Sequence, residues 1–207
     1  MTRKSEMNPR ARAAAVQRAA IPWSRRARPT FLLAVLASLV AVLGGGPPAF
    51  GKGLEGASLL VADERAKKVF GYDADGHLVG SLDLSSANGH PTSVSVDGNS
   101  VYVLDGNKKR VYRYDMAGSL EGVSAELRRA DGGSLSVPTG MAIDGGELWV
   151  VDRGVARLSR YALAEAFSTD RRVSAHQDIP LSPDNARAEG LAIDDVWLYV
   201  LDRKSVV

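Results

Sequence analysis

The chain has 207 residues, 45% of them apolar and 24% charged, which suits one ordinary domain or a little more and is globular rather than disordered composition. Its net charge of +2 hides an asymmetry: eight of its bases stand in the first thirty positions beside the single Glu6, and residues 52–207 hold 18 bases against 23 acids. The main part of the chain thus lacks a basic footprint for nucleic acid, and with no cysteine it has no disulfide, thiol nucleophile or lipidated cysteine.

Residues 1–51 read as a targeting segment. Arg25, Arg26 and Arg28 precede a thirteen-residue stretch, Phe31 to Leu43, that is apolar except for Ser38, followed by Gly44-Gly45-Gly46-Pro47-Pro48 and the small-residue stretch Ala49-Phe50-Gly51. That is the basic, apolar and cleavage-region order of a secretory signal. A helix of that length rises about 20 Å, short of the roughly 30 Å hydrocarbon core. A membrane anchor is the alternative, and it requires residues 31–50 to stay uncleaved. Phe31 lies too far past Arg25-Arg26 for a twin-arginine signal, which favours Sec export. Residues 52–207 are therefore expected to be secreted or periplasmic. Gly46 to Gly53 nearly spells a phosphate loop, but Pro47 and Pro48 lack the N–H groups that cradle phosphate, and Gly53 replaces the magnesium-binding hydroxyl.

From Leu59 onward the chain repeats itself. Short apolar strands end in aspartate at Leu59 to Asp63, Val101 to Asp105, Leu148 to Asp152 and Leu198 to Asp202, with separations of 42, 47 and 50 residues between the aspartates. This period is that of propeller blades and related arrays. After each of the first three aspartates come a base at the fifth position (Lys68, Arg110, Arg157), an aliphatic residue at the sixth and a tyrosine at the ninth (Tyr72, Tyr114, Tyr161).

Each repeat reads as a set of short strands. Val94 to Asp97, Met141 to Asp144 and Leu191 to Asp194 alternate aliphatic with Ser or Ala, which suits an innermost strand crowded round an axis. The next strand is apolar on both faces, as in Leu148-Trp149-Val150-Val151, and so is expected to be covered from both sides by neighbouring sheets. A third strand runs from the base to the tyrosine. In the first two repeats it ends in Asp73-Ala74-Asp75-Gly76 and Asp115-Met116-Ala117-Gly118 turns. Outer strands are expected at Leu78 to Leu84 and around Leu120 to Leu127, and Ala130 to Val137 and Ser168 to Arg187 read as long polar loops. The first repeat lacks an inner strand.

Proline or a small residue, aliphatic-x-aliphatic-Asp, a strand closing on Val-x-Asp, then a base and Val-Tyr-x-Tyr, resembles the NHL-type six-bladed β-propeller repeat. Asp105 to Val111 carries the best match. The resemblance covers residues 57–207, as repeats 57–88, 89–135, 136–186 and 187–207. It implies an all-β chain in which residues 52–207 form three to three and a half four-stranded blades of a partial propeller. It also implies that Asp63, Asp105, Asp152 and Asp202, with Lys68, Arg110 and Arg157, are structural groups that bond strands to loops. Because such relatives close a ring of about six blades, the segment is expected to belong to a longer reading frame or to be completed by a second copy in a homodimer.

Few residues suggest chemistry. Asp73 to Gly76 resembles the start of a calcium loop, but its glycine comes at the fourth position and no bidentate Glu follows at the twelfth. The three histidines show no metal spacing and no nucleophile elbow accompanies them. No catalytic residue and no metal ligand is assigned. Candidate binding residues at the channel mouth are His90, Thr92, Thr139 and Glu189, together with Trp197 as an out-of-register aromatic. The expected function is a binding or scaffold module for a protein, peptide or envelope glycan, without a cofactor. The resemblance also implies an alternative, a lactonase-like or lyase-like enzyme holding a divalent metal such as calcium with Glu189, His90 and Asn185. A third possibility is the extracellular sensor of a membrane-anchored protein.

Overall fold

The computed structural model describes residues 17–20, 51–168, 171–194 and 196–203. The signal segment proposed for residues 1–51 lies outside them, apart from two short strands, β1 (Gln17–Ala20) and β2 (Gly51–Lys52). The first repeat forms β3 (Leu59–Asp63), β4 (Lys68–Tyr72) and β5 (Leu78–Asp83). The second forms β6 (Pro91–Asp97), β7 (Ser100–Asp105), β8 (Arg110–Asp115) and β9 (Leu120–Val123), followed by β10 (Glu126–Arg128). The third runs through β11 (Pro138–Asp144), β12 (Glu147–Asp152), β13 (Arg157–Ala162), the short helix α1 (Leu163–Ser168), β14 (Arg172–Ser174) and β15 (Gln177–Pro180). β16 (Ala188–Ile193) and β17 (Trp197–Asp202) make the fourth.

The sheets are radial blades. Their orders are β2-β5-β4-β3, β6-β7-β8-β9, β11-β12-β13-β15 and β16-β17-β1. In the first three, the repeat aspartate stands opposite the repeat base on the third strand: Asp63 with Lys68, Asp105 with Arg110, Asp152 with Arg157. The first blade begins at β3, the counterpart of β7, β12 and β17, so it has no inner strand. The inner strands of neighbouring blades pack on each other, β6 on β11 and β11 on β16, with β3 against β6.

Why the second strands are apolar on both faces is now clear. Along β7, Val101 and Val103 turn back into the core shared with the first blade, while Tyr102 and Leu104 turn forward into the core shared with the third. β12 divides the same way: Leu148 and Val150 face the second blade, Trp149 and Val151 the fourth. Period-two alternation therefore separates two cores rather than core from solvent. Each fully buried Leu or Val in these seams contributes about 1.5–3 kcal/mol.

One loop expectation and one strand expectation need correction. Ser168 to Arg187 is not one solvated loop, because Gln177–Pro180 is the outer strand of the third blade, pairing antiparallel with β13. Arg172–Ser174 pairs in parallel with β10 across the second seam. The outer segment expected around Leu120 to Leu127 is likewise two strands, of which only β9 joins its blade. The residues that anchor these segments are few and apolar: Leu127, Val173 and Ala175 bury themselves with Ala166 of α1 in the core between the second and third blades. An isolated Val in a polar stretch gave no periodicity to read.

Candidate functional site

The axis of this arc has two ends of different chemistry. One is the mouth, where inner strands begin and second strands close on their aspartates. The aspartates build it. Asp105 is buried, and its carboxylate accepts N–H bonds from Gly89 (2.8 Å) and His90 (3.2 Å) in the loop entering β6 and from Asn107 (2.9 Å) and Lys108 (2.8 Å) in the turn leaving β7. Asp152, also buried, accepts from Ser136 (2.6 Å), Val137 (2.8 Å) and Gly154 (3.0 Å). Asp63, in a blade with no inner strand, accepts from Ala66 at 2.8 Å. Each buried carboxylate thus ties an incoming loop to an outgoing turn. Asp202 pairs with Ala188, where inner strand four begins.

The bases turn the other way. Lys68 Nζ reaches Asp83 at 2.5 Å, Arg110 Nη1 donates to Ser124 O at 2.6 Å, and Arg157 stands 3.9 Å from Asp178. All three point outward along the blade to the outer strand or the segment after it.

At the mouth itself the predicted residues are engaged across blade seams. His90 Nδ1 lies 2.5 Å from Glu64 of the first blade. Glu189 pairs with Arg153 of the third blade. Thr139 is buried and donates to Ala188 O at 2.8 Å, and Thr92 reaches Leu104 O at 3.5 Å. Between them Gly106 is packed so closely that an added Cβ would stand 2.7 Å from Thr92 Cγ2 and 3.0 Å from Pro138 O. Trp197 lies elsewhere: it opens β17, whereas the mouth is at the Asp202 end of that strand. Asn185 is buried behind the mouth.

Glu64 and Arg153 were not singled out from sequence. Both occupy the position just after a repeat aspartate, where the other repeats have Gly106 and Arg203. That shared offset is the signal that could have found them.

The opposite end holds a hollow of about 140 Å³ to which all four blades contribute. Leu60, Val94 and Val96, Met141 and Ile143, and Leu191 and Ile193 make its apolar wall, and Ser58, Ser95 and Ala192 give it small side chains. The alternation read in the inner strands therefore supplies both the crowding at the axis and this lining.

Away from the axis, Asp73, Asp75 and His77 bring ligand-type atoms within 4.8 Å of one another at an exposed turn. The Asp73 carboxylate is occupied there by the N–H groups of His77 (2.8 Å) and Asp75 (2.9 Å), which gives it a turn-forming role.

No family model matches this sequence, and the search of curated proteins returned no match. Solved structures do match. The glutaminyl cyclase of Myxococcus xanthus aligns with a TM-score of 0.50 at 10% identity, covering 66% of this chain and 63% of that one. The fold is a β-propeller segment. Virginiamycin B lyase from Staphylococcus aureus (TM-score 0.45, 10% identity, 70% of this chain and 51% of that one) and the WD40 repeats of RRP9 (0.42, 12%, 64% and 37%) are more distant matches. The chain spans less than two thirds of the length of each of these structures.

Proposed function

We propose that the chain is an exported binding module of NHL-like propeller type whose axial hollow takes an apolar side chain of a protein or peptide partner. The observation that carries this reading is the contrast between the two ends of the axis. At the mouth the ionisable side chains are already paired with each other, His90 with Glu64 and Arg153 with Glu189. The hollow offers apolar wall and small hydroxyls, a lining matched to an inserted Leu, Met or Phe. A glycan would call for exposed aromatic platforms and polar groups that this lining lacks.

Peptides selected by display against the purified protein, then titrated by calorimetry, test the reading. Saturable binding that is lost in Ala192→Phe, which fills the hollow, and kept in Glu189→Gln supports it. Binding that survives Ala192→Phe, or that requires a divalent metal and is lost in Glu189→Gln, contradicts it and favours the metal-dependent alternative. Export is checked separately by N-terminal sequencing of secreted material, which is expected to begin near residue 52.

A further inference from the structure

The two ends of the axis differ in charge as well as in polarity. At the hollow, each inner strand runs directly from lining into a carboxylate: Val94 to Val96 into Asp97, Met141 to Ile143 into Asp144, and Leu191 to Ile193 into Asp194. Glu55 likewise follows the lining residue Leu54, and Asp115 precedes the lining residue Met116. None of these five acids is buried, and no Lys or Arg stands next to a lining residue in the chain. The turns leaving the second strands at the mouth have the opposite sign: among the described residues they hold Arg65, Lys67, Lys108, Lys109, Arg153 and Arg203 against Glu64.

Turn formation accounts for some of the acids. Asp115 accepts from Ser119 N at 2.7 Å, and Asp194 accepts from Val196 N at 2.9 Å and from Trp197 N at 2.7 Å. It does not account for Asp144, whose carboxylate has no hydrogen bond or ion pair among the described residues. Asp144 ends β11, the middle one of the three inner strands that pack on each other. Carboxylates at the edge of an apolar hollow focus a negative potential there, and bases at the far end of the axis add to that field. A cation is drawn to this end and a carboxylate is repelled.

We infer that the segment entering the hollow is cationic: an apolar side chain of a protein partner, flanked in sequence by Lys or Arg. The apolar residue fills the hollow, and the flanking bases meet Asp97, Asp144 and Asp194 where the lining ends. The charges contribute selectivity and rate of encounter more than affinity. This inference rests on the reading of the hollow as a peptide site and adds the sign of the partner.

The probes are fluorescent peptides with Leu or Ala at the centre and a pair of Lys or a pair of Glu on each side, titrated into the full chain. The Lys peptide with Leu should bind saturably, at least about 10-fold more tightly than the Glu peptide with Leu at low salt. That gap should fall below about 2-fold in roughly 1 M NaCl, where screening acts within about 3 Å, while the preference for Leu over Ala persists. Asp144→Asn, which gives up no hydrogen bond, should weaken the Lys peptide by roughly 2- to 5-fold. Asp131→Asn removes the same charge from an exposed loop between β10 and β11 and should leave binding unchanged. Equal binding of the Lys and Glu peptides, with Leu still preferred to Ala, would overturn the cationic occupant and leave the hollow reading standing. No binding of either Leu peptide, or indifference to Ala in place of Leu, would overturn both. Equal weakening by Asp144→Asn and Asp131→Asn would reduce the effect to net charge and overturn the inference.

Discussion

The recurrent aspartate has a different weight in each blade, set by how many backbone N–H groups it satisfies. Asp105 holds four in a buried setting, and Asp105→Ala should lower stability by about 3 kcal/mol or more, since the orphaned donors lose a charged acceptor. Asp63→Ala, which among the described residues loses the one bond from Ala66 at the first blade, should cost below about 1 kcal/mol. Urea denaturation of the two variants checks the ratio. Two other carboxylates respond to acid. Asp73 and Asp115 are held below the ordinary carboxylate value, first by the backbone N–H groups of His77 and Ser119 respectively. Their folded-state values lie below the unfolded ones. Their contribution is therefore complete above about pH 4 and is lost as pH falls through the folded values. The double variant Asp73→Asn, Asp115→Asn should flatten the acid limb of stability below about pH 4 and leave its slope at neutral pH unchanged, as read from melts across pH. The aspartates were legible because they recur at fixed offsets from aliphatic residues. Glu64 and Arg153 were not, because their partners His90 and Glu189 are brought to them by the angle between blades, which a repeat length does not encode.

At the scale of the element, strand identity was legible wherever the pattern had two sides to report. β7 and β12 are apolar throughout since each faces two neighbours, β17 carries the same pattern though only Leu198 and Val200 reach the core shared with the third blade, and β6, β11 and β16 alternate because one face meets the axis. β10, β14 and β15 escaped for the opposite reason. They are three or four residues long: β10 and β14 are placed by packing of Leu127 and Val173 with Ala166 of α1, and β15 by its pairing with β13, rather than by local pattern. Close approach of inner strands is likewise invisible in sequence. A Cβ on Gly140 would meet Val151 Cγ1 at 2.9 Å and the Gly190 backbone at 3.0 Å, while a Cβ on Gly190 finds only Leu201 at 3.6 Å. Gly140→Ala should therefore destabilise by about 1–3 kcal/mol, as overpacking does, and Gly190→Ala should be nearly neutral. Differential scanning fluorimetry of the pair separates strand crowding from a general intolerance of side chains at the axis.

The whole molecule is an arc of stacked sheets whose seams repeat one design: aspartates clamp the mouth, aliphatic residues fill the seams, and small and apolar residues meet at the far end of the axis. Its function follows from which end remains chemically available. The hollow draws on residues from position 58 to position 193, so it exists only if blades distant in sequence stand side by side. Filling it with Ala192→Phe should abolish partner binding while leaving the far-ultraviolet circular dichroism spectrum of the sheets unchanged. The arrangement itself is tested most directly by methyl–methyl nuclear Overhauser spectroscopy on the purified chain. Cross-peaks linking Val94 and Val96 to Met141 and Ile143, and these in turn to Leu191 and Ile193, are predicted. Cross-peaks confined within single repeats, with none joining one repeat to the next, would contradict the radial arrangement and the binding site built on it.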